Sequence, residues 1–164
     1  MSIVDTDSDL TAEQRDAITA MAGHYDHKRG ACIEALKYVQ SHYRFVSDRH
    51  LAEVATLLDM SCADLDGVAT YYNLIFRRPV GEHVIFLCDS VSCWIMGRDA
   101  VNQRIRARLG IEPGETTPDG AYTLLPIVCL GHCDHAPAML LDETLHGDLD
   151  AARIDTILGI QSER

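Results

Sequence analysis

The sequence predicts an α/β fold in which a bundle of short helices precedes a small mixed sheet covered by helices. Two observations lead to this prediction. In the first half, apolar residues recur at helical spacing, and short polar segments separate the runs. From residue 83 onward, short apolar strands alternate with helical segments in the order β-α-β-β-α. We therefore expect two domains, a helical N-terminal domain at 1–80 and a sheet domain at 81–164.

Four helices are expected in the first half. The first begins at a capping box, in which Thr11 and Gln14 satisfy each other's backbone donors. The second is expected from about 28 to 42, where apolar residues recur every three or four positions. Ser47 and Ser61 are the expected N-caps of the third and fourth helices. Because the connections are short, these helices should pack as a compact bundle.

The boundary between the two halves is expected near 77–82. The segment Arg77-Arg78-Pro79-Val80-Gly81 combines charge, a helix stop and a turn residue. After it we expect a strand at 83–88, a helix at 94–109, a strand at 122–128, a strand at 138–141 that runs into a turn, and a final helix at 150–160. This order predicts a mixed sheet with helices packed on it.

Charge and hydropathy exclude several functional classes. The formal net charge of −11 gives a surface that repels phosphate backbones, so we expect no nucleic-acid partner. No apolar run approaches the length of about 20 residues that a membrane-spanning helix needs, so we expect no direct membrane insertion. The acidic N-terminus at 1–7 does not resemble a signal peptide. A reducing compartment is therefore expected, and the six cysteines call for another explanation than disulfides.

Nucleotide-binding and catalytic motifs are missing from the sequence. Neither G-x-G-x-x-G nor G-x-x-x-x-G-K occurs, so the chain is not expected to bind a nucleotide by itself. No set of residues could carry out hydride chemistry either. We therefore predict no catalytic residue in this chain.

Two cysteine pairs lie in the second half, Cys88 with Cys93 and Cys129 with Cys133. Each pair begins where a predicted strand ends. Loops that leave the same edge of a sheet can bring both pairs together, and a four-thiolate site would follow. Gly131 lies inside the second loop, where the backbone must pass close to a bulky centre.

The spacing leaves the identity of that centre open. A binuclear iron–sulfur cluster offers two ligand positions on each iron, so it suits two separated pairs. Zinc also takes four thiolates, and disulfides or unrelated thiols are a third interpretation. A thioredoxin-type redox motif is excluded because no Cys-x-x-Cys occurs. The spacing alone favours a [2Fe–2S] cluster.

Three other residues are expected to have packing roles. Cys32 and Cys62 occupy apolar positions of predicted helices, where a free cysteine packs as a small hydrophobe. Trp94 follows Cys93 directly, and we expect its ring to lie in the core or to shield the site rather than to relay electrons.

Two longer motifs carry a resemblance to a known family. The first reads Cys88-Asp89-Ser90-x-x-Cys93-x-x-x-Gly97. The second reads Asp119-x-x-Tyr122-Thr123-x5-Cys129-Leu130-Gly131-x-Cys133-x-x-Ala136-Pro137. From about residue 10 to 160, the chain resembles the family of the 24 kDa subunit, also called the E subunit, of respiratory complex I, the NADH–quinone oxidoreductase. Members of that family are thioredoxin-like [2Fe–2S] ferredoxins.

The resemblance implies a function in electron transfer. It implies a thioredoxin-like domain at 81–164 whose single [2Fe–2S] cluster is held by Cys88, Cys93, Cys129 and Cys133. The cluster would exchange single electrons with FMN on a partner flavoprotein, the F-type subunit, which also binds NADH. Other subunits of a peripheral arm, on the cytoplasmic side of the inner membrane, would be further partners. The chain would belong to an NADH:quinone oxidoreductase, with no catalysis expected from the isolated chain.

Two alternatives remain at this level. Related subunits serve soluble NAD-reducing hydrogenases and NAD-dependent formate dehydrogenases, and the sequence does not separate these assemblies well. A zinc-stabilised interaction module without a redox role is the alternative from another class. The chain also departs from the family at Tyr71 and Tyr122, where Phe is frequent, and each added hydroxyl needs a partner if it is buried.

Overall fold

The structure is a computed structural model that describes residues 9–161. The N-terminal segment 1–7, which bears on the question of a signal peptide, lies outside the described residues. The chain divides into two compact units, with the boundary between Pro79 and Val80. Among the described helices, none has both the length and the apolar character needed to cross a membrane.

The first unit is helical. It contains α1 (Ala12–Ala22), a 3₁₀ turn (Lys28–Ala31), α2 (Cys32–Tyr43), α3 (Asp48–Leu57) and α4 (Cys62–Tyr71). The predicted capping box of α1 is confirmed: the Gln14 N–H donates to the Thr11 hydroxyl at 3.2 Å, and the Thr11 N–H donates to the Gln14 side chain at 2.9 Å. Ser47 and Ser61 cap α3 and α4 as predicted.

The second helix begins later than predicted. Residues Lys28–Ala31 form a 3₁₀ turn, and the α-helix starts only at Cys32. Gly30 lies in this turn against the ring of Tyr25, so close that a Cβ would come within 2.6 Å of a ring carbon. Glycine is a poor helix former, and tight 3₁₀ turns are frequent at helix starts, so helical periodicity alone could not place this boundary.

The core of the first unit joins all four helices. Its fully buried side chains include Ile18 from α1, Leu36 from α2, Val54 from α3 and Leu65 from α4. Arg77 closes the unit near its end: its guanidinium binds Asp66 at 2.8 Å and Asp48 at 2.6 Å. The charged segment that marked the boundary in the sequence therefore includes a structural anchor of the helical unit.

The second unit is a four-stranded mixed sheet with helices. It contains β1 (His83–Cys88), α5 (Val91–Ile95), α6 (Arg98–Leu109), β2 (Tyr122–Ile127), a 3₁₀ turn (Cys133–His135), β3 (Met139–Leu141), β4 (Thr144–His146) and α7 (Ala151–Gln161). The strand order is β2-β1-β3-β4. Strands β1 and β2 run parallel, whereas β3 is antiparallel to both β1 and β4.

The helix predicted at 94–109 is wrong in its boundaries, because two helices cover this region. A short α5 begins before Trp94, and α6 starts at Arg98. Gly97 separates them with a φ of 98°, a left-handed conformation that cannot continue a right-handed helix. Since apolar spacing carries no information on the sign of φ, the sequence pattern merged the two.

Strand β4 was missed by the sequence prediction, which placed only a turn after β3. Asp142 takes a φ of 54° in the connection, and β4 then pairs with β3 through Leu140 and Leu145. In β4 a single apolar residue stands between Thr144 and His146. Three residues at a sheet edge are too few to show the alternation by which strands are recognised.

The core of the second unit lies against the sheet. Ile85 in β1 packs in one buried cluster with Ile105 of α6 and Ile154 of α7, all three fully buried. Tyr122, one of the two departures from the family pattern, is also buried, and its hydroxyl has no hydrogen-bond partner among the described residues. Its burial raises the pKa of Tyr122. The added hydroxyl is therefore unsatisfied, a destabilising feature for a buried polar group.

A carboxylate links α6 to α7. Asp155 accepts a hydrogen bond from Arg104 at 2.8 Å and lies 3.5 Å from Arg108. The hydrogen bond from Arg104 lowers the pKa of Asp155. A carboxyl with a lowered folded-state pKa adds stability above its unfolded pKa of about 3.9 and loses that contribution as pH falls through the folded value.

We therefore expect Asp155→Asn to lower the melting temperature at pH 7 more than at about pH 2, because only the ionised carboxylate is stabilised by the two guanidinium groups. Thermal unfolding of both proteins, followed by circular dichroism across this range, measures the difference. An equal loss at both pH values would mean that the charge of Asp155 contributes nothing. The effect should be modest, because ion pairs between partly exposed side chains are weakly stabilising.

Candidate functional site

Both cysteine pairs lie at one edge of the sheet. Cys88 is the last residue of β1, and its register partner is Ile127, the last residue of β2. Because the two strands are parallel, the loops that follow them leave from the same edge. Cys129 comes two residues after the end of β2. The expectation that strand ends bring the pairs together is confirmed.

The four thiols form one group. The sulfur atoms of Cys129 and Cys133 are 3.4 Å apart. The Cys88 thiol interacts with the thiols of both Cys93 and Cys129. All six cysteines of the chain lie within the described residues, and all six are free thiols.

The two pairs differ in burial. Cys88 and Cys93 are each only 2% exposed, and they pack with Ala136 and Ala138 in a small apolar cluster. Cys129 and Cys133, by contrast, are exposed residues. The site therefore has a buried side built on β1 and α5 and an open side built on the loop after β2.

Backbone and hydroxyl groups surround the sulfur atoms. The N–H of Gly131 donates to the Cys129 sulfur at 3.4 Å, and Gly131 has a φ of 74°, which favours glycine. Ser90 and Ser92 place hydroxyls near Cys129 and Cys133, respectively. Donors aimed at sulfur stabilise negative charge there. At Cys129 these donors favour the thiolate, the form that binds metals.

Burial and hydrogen bonding set the acidity of each thiol. Burial, together with the neighbouring Cys88 thiol, raises the pKa of Cys93 to about 11. The Gly131 N–H lowers the pKa of Cys129. The hydrogen bond with Cys129 raises the pKa of Cys133. In the exposed pair, Cys129 is therefore the thiol that ionises first.

Helix α5 presents two different faces. Cys93 points to the buried side of the site, whereas Trp94 is 62% exposed. The prediction that Trp94 lies in the core is wrong, because α5 places Cys93 inward and the ring of Trp94 outward. An indole usually argues for burial, and nothing in the local sequence indicates this orientation.

The turn between β4 and α7 fastens the loop that carries Cys133. The Asp148 carboxylate lies 2.8 Å from Nδ1 of His135, and the Asp148 N–H donates to the His135 carbonyl at 2.6 Å. Gly147 lies so close to this loop that a Cβ would come within 2.6 Å of the His135 Cβ and 2.7 Å of the His132 ring. The sequence analysis did not predict a role for Gly147 or Asp148 at the site. The one sequence signal is that they form a Gly-Asp dipeptide, which is typical of turns.

The two remaining cysteines lie in the first unit. Cys32 is half-buried and packs against the core, as predicted. Cys62 is exposed, so its predicted core position is wrong. It is the first residue of α4, directly after the Ser61 cap, and the apolar stripe of that helix begins only at Leu65.

The donor set fits a four-thiolate centre. Within residues 9–161, no group of three or more His, Cys, Asp and Glu side chains is already arranged to hold a metal ion. The chemistry of the group at the sheet edge is nevertheless specific: four thiols in two pairs, with backbone donors at the sulfur atoms. A binuclear iron–sulfur cluster takes four thiolates, two on each iron.

Comparison with known sequences decides the family. A sequence model of the thioredoxin-like [2Fe–2S] ferredoxins matches residues 18–160. The chain belongs to the thioredoxin-like [2Fe–2S] ferredoxin family. The resemblance seen in the sequence motifs is thereby confirmed, and with it the predicted fold class, a helical region followed by the α/β ferredoxin domain.

Bacterial relatives match almost the whole chain. The E subunit of NADH-quinone oxidoreductase from Escherichia coli K12 is 45% identical over 150 residues, which cover 92% of this chain and 90% of that protein. The corresponding protein of Pseudomonas aeruginosa is 44% identical over 149 residues, with 90% of each chain covered. Both relatives are therefore similar to this ferredoxin along its length rather than in an isolated segment.

A solved structure shares the fold. The NAD⁺-reducing [NiFe]-hydrogenase in its air-oxidised state contains a region that superposes with a TM-score of 0.70 at 27% sequence identity. The match covers 81% of this ferredoxin but only 23% of the hydrogenase chain. The same fold thus occurs as one part of a much longer polypeptide.

Proposed function

We propose that this ferredoxin is the [2Fe–2S] electron-transfer subunit of an NADH:quinone oxidoreductase of the complex I type, where it exchanges single electrons with FMN on a partner flavoprotein. The observation that carries the proposal is the convergence of two cysteine pairs at one sheet edge. Its context supports the assembly, since the E subunits of two such oxidoreductases are 44% and 45% identical to the chain.

The proposed ligands are Cys88, Cys93, Cys129 and Cys133. They are the four cysteines that meet at the sheet edge, whereas Cys32 and Cys62 belong to the first unit. When bound, a [2Fe–2S] cluster supplies a site that gains or loses one electron, which the side chains of this protein cannot do by themselves.

The chain's own residues shape that site electrostatically. Four thiolates bring negative charge to a protein whose formal charge is already −11. The Gly131 N–H and the hydroxyls near Cys129 and Cys133 offset part of it. The apolar packing around Cys88 and Cys93 keeps water from the inner side. Burial and hydrogen bonds to sulfur are two of the factors by which proteins adjust reduction potential.

The assembly follows from the proposed function. The partner is an F-type flavoprotein subunit that holds FMN and binds NADH, together with other subunits of the peripheral arm at the cytoplasmic side of the inner membrane. We assign a docking surface to the helical domain at 1–80 and the cluster to the domain at 81–164. The division of the chain between Pro79 and Val80 supports the boundary between these two domains.

The proposed function is tested by purification under nitrogen. We expect about two irons and two acid-labile sulfides per chain, and a visible absorbance that bleaches with dithionite. Electron paramagnetic resonance of the reduced protein should show one binuclear cluster. Zinc in place of iron, or iron without labile sulfide, would contradict the proposal and favour a structural metal site without redox function.

One observation supports an alternative assembly, an NAD⁺-reducing hydrogenase. The same architecture occurs within an NAD⁺-reducing [NiFe]-hydrogenase, at a TM-score of 0.70. Affinity purification of the tagged chain from its native cells distinguishes the two assemblies. Co-purification of quinone-reductase subunits supports the first proposal, whereas nickel-containing or formate dehydrogenase subunits would support the alternative assemblies.

A further inference from the structure

A largely buried cation adjoins the loop that follows β1. Arg98 is the first residue of α6, directly after Gly97. Its side chain is only 16% exposed, although arginine is among the residue types that are least often buried. The buried Nε of Arg98 has no hydrogen-bond partner among the described residues. Because an unpaired buried N–H is destabilising, the position of Arg98 calls for a physical explanation.

The Arg98 guanidinium contacts the residue next to a proposed ligand. Its Nη2 lies 3.3 Å from the carboxylate of Asp89, which directly follows Cys88 in the chain. The Asp89 N–H donates to the Ile127 carbonyl at 2.7 Å, so the end of β2 fixes the backbone at this point. The ion pair also spans α5, the helix that carries Cys93. The positive charge is therefore held within one residue of Cys88.

Three charges meet at this point, and they differ in exposure. Asp99 lies 3.2 Å from Nη1 of Arg98, and its side chain is 61% exposed. The Asp89 side chain is 56% exposed. Water and salt screen exposed charges strongly, whereas a buried charge is screened much less. The field of Arg98 therefore reaches further into the protein than that of either carboxylate.

The buried thiol pair has few other groups that stabilise negative charge. Cys88 and Cys93 are each only 2% exposed and pack against alanines. The backbone N–H of Ala138 donates to Cys93, whereas the Gly131 N–H acts on the exposed pair. Where water is excluded, fixed donors and cations have to stabilise an anion in its place. Arg98 is the cation that contacts the loop of this buried pair.

The other basic side chains in the described part of the second unit have different partners. Residues 80–161 contain five arginines and no lysine. Arg104 and Arg108 lie at Asp155, Arg106 binds Glu112, and Arg153 acts on His135 and His146. Among these five, Arg98 is the one paired with a residue that is bonded to a proposed ligand.

We propose that Arg98 is an electrostatic residue of the redox site, and that its buried positive charge raises the reduction potential of the [2Fe–2S] cluster. This inference rests on the proposed function. Reduction adds one negative charge to a group that four thiolates already make anionic, so a nearby cation stabilises the reduced form more than the oxidised form. The Asp89 carboxylate, which adjoins Cys88, acts in the opposite direction.

The test measures the midpoint potential of the cluster-loaded chain by a redox titration followed in visible absorbance. Arg98→Met removes the charge but keeps an unbranched stem. We expect it to shift the one-electron equilibrium about tenfold toward the oxidised form, which is about 59 mV to lower potential. Arg98→Lys retains the charge, and its potential should stay close to that of the wild type.

Arg106→Met is the matched control. It changes the net charge of the chain by the same amount, but Arg106 is paired with Glu112 and lies about 12 Å further along α6. Its potential should therefore remain near the wild-type value. A shift as large as that of Arg98→Met would mean that net charge, and not the position of Arg98, sets the potential.

A second arm separates charge from loop geometry. Asp89→Asn removes a negative charge beside Cys88, so we expect it to raise the potential. The double variant Arg98→Met with Asp89→Asn should return close to the wild-type potential. Loosening of the loop would act differently, because each single substitution breaks the same ion pair and would shift the potential in the same direction. That pattern would overturn the proposal.

The two proposals fail with different results. If the wild-type chain holds no iron and labile sulfide, or accepts no electron from dithionite, the proposed function fails and the Arg98 proposal fails with it. If the wild type is loaded and reducible but Arg98→Met has the same potential, only the Arg98 proposal is overturned. If circular dichroism shows that Arg98→Met does not fold, Asp89→Asn decides, and an unchanged or lowered potential in that variant would contradict the proposal.

Discussion

Cys129→Ala is expected to abolish the iron and labile sulfide of the purified chain, whereas Cys62→Ala leaves both in place. Both residues are exposed, so neither substitution opens a cavity in a core. Cys129, however, belongs to the thiol group, 3.4 Å from the sulfur of Cys133, and alanine supplies no ligand. A binuclear cluster that loses one of four thiolates is no longer fully held.

The same loss is expected for Cys88→Ala, Cys93→Ala and Cys133→Ala. Cys32→Ala should cost packing alone, because Cys32 lies against the core of the first unit. Metal and sulfide analysis, together with far-ultraviolet circular dichroism, separates loss of the cluster from loss of the fold. If Cys32 or Cys62 proved necessary for iron incorporation while Cys129 did not, the ligand assignment would be wrong.

Gly147→Ala is expected to loosen the loop that carries Cys133. The added Cβ would come within 2.6 Å of the His135 Cβ, an atom fixed to the backbone, so the loop itself has to move. The hydrogen bond from the Asp148 N–H to the His135 carbonyl, 2.6 Å long, would be strained at the same time. Overpacking of this kind typically costs about 1–3 kcal/mol.

The readout is the rate at which a chelator removes iron from the loaded protein, together with the paramagnetic resonance spectrum. We expect faster release and altered g-values in Gly147→Ala. The matched control is Gly159→Ala in α7, where a Cβ meets nothing within 4 Å. Identical release rates and spectra in both variants would show that the turn does not position the loop.

The meeting of the two cysteine pairs could be predicted from the sequence, because each pair begins where a recognisable strand ends. Continuous apolar runs located β1 and β2, and parallel pairing then forces Cys88 and Cys129 to the same edge. The helix caps at Thr11, Ser47 and Ser61 were equally accessible, since a cap is a local interaction between residues close in sequence.

The remaining features depend on three-dimensional context. Gly97 ends α5 with a positive φ, and the spacing of apolar residues does not reveal the sign of φ. Trp94 and Cys62 are exposed although both residue types are usually buried. Their positions around the helix axis, and not their residue types, decide which side chains face water. The packing of Gly147 against His135 joins residues from different loops, so no local pattern could predict it.

The unequal burial of the two thiol pairs makes the site one-sided. Cys88 and Cys93 are sealed by Ala136 and Ala138, while Cys129 and Cys133 face outward. Chelators, oxidants and the machinery that delivers iron during maturation therefore reach the loop thiols first. A protein bound over that opening would protect the iron from oxidation and would also block its delivery, so we expect iron to be incorporated before such a protein binds.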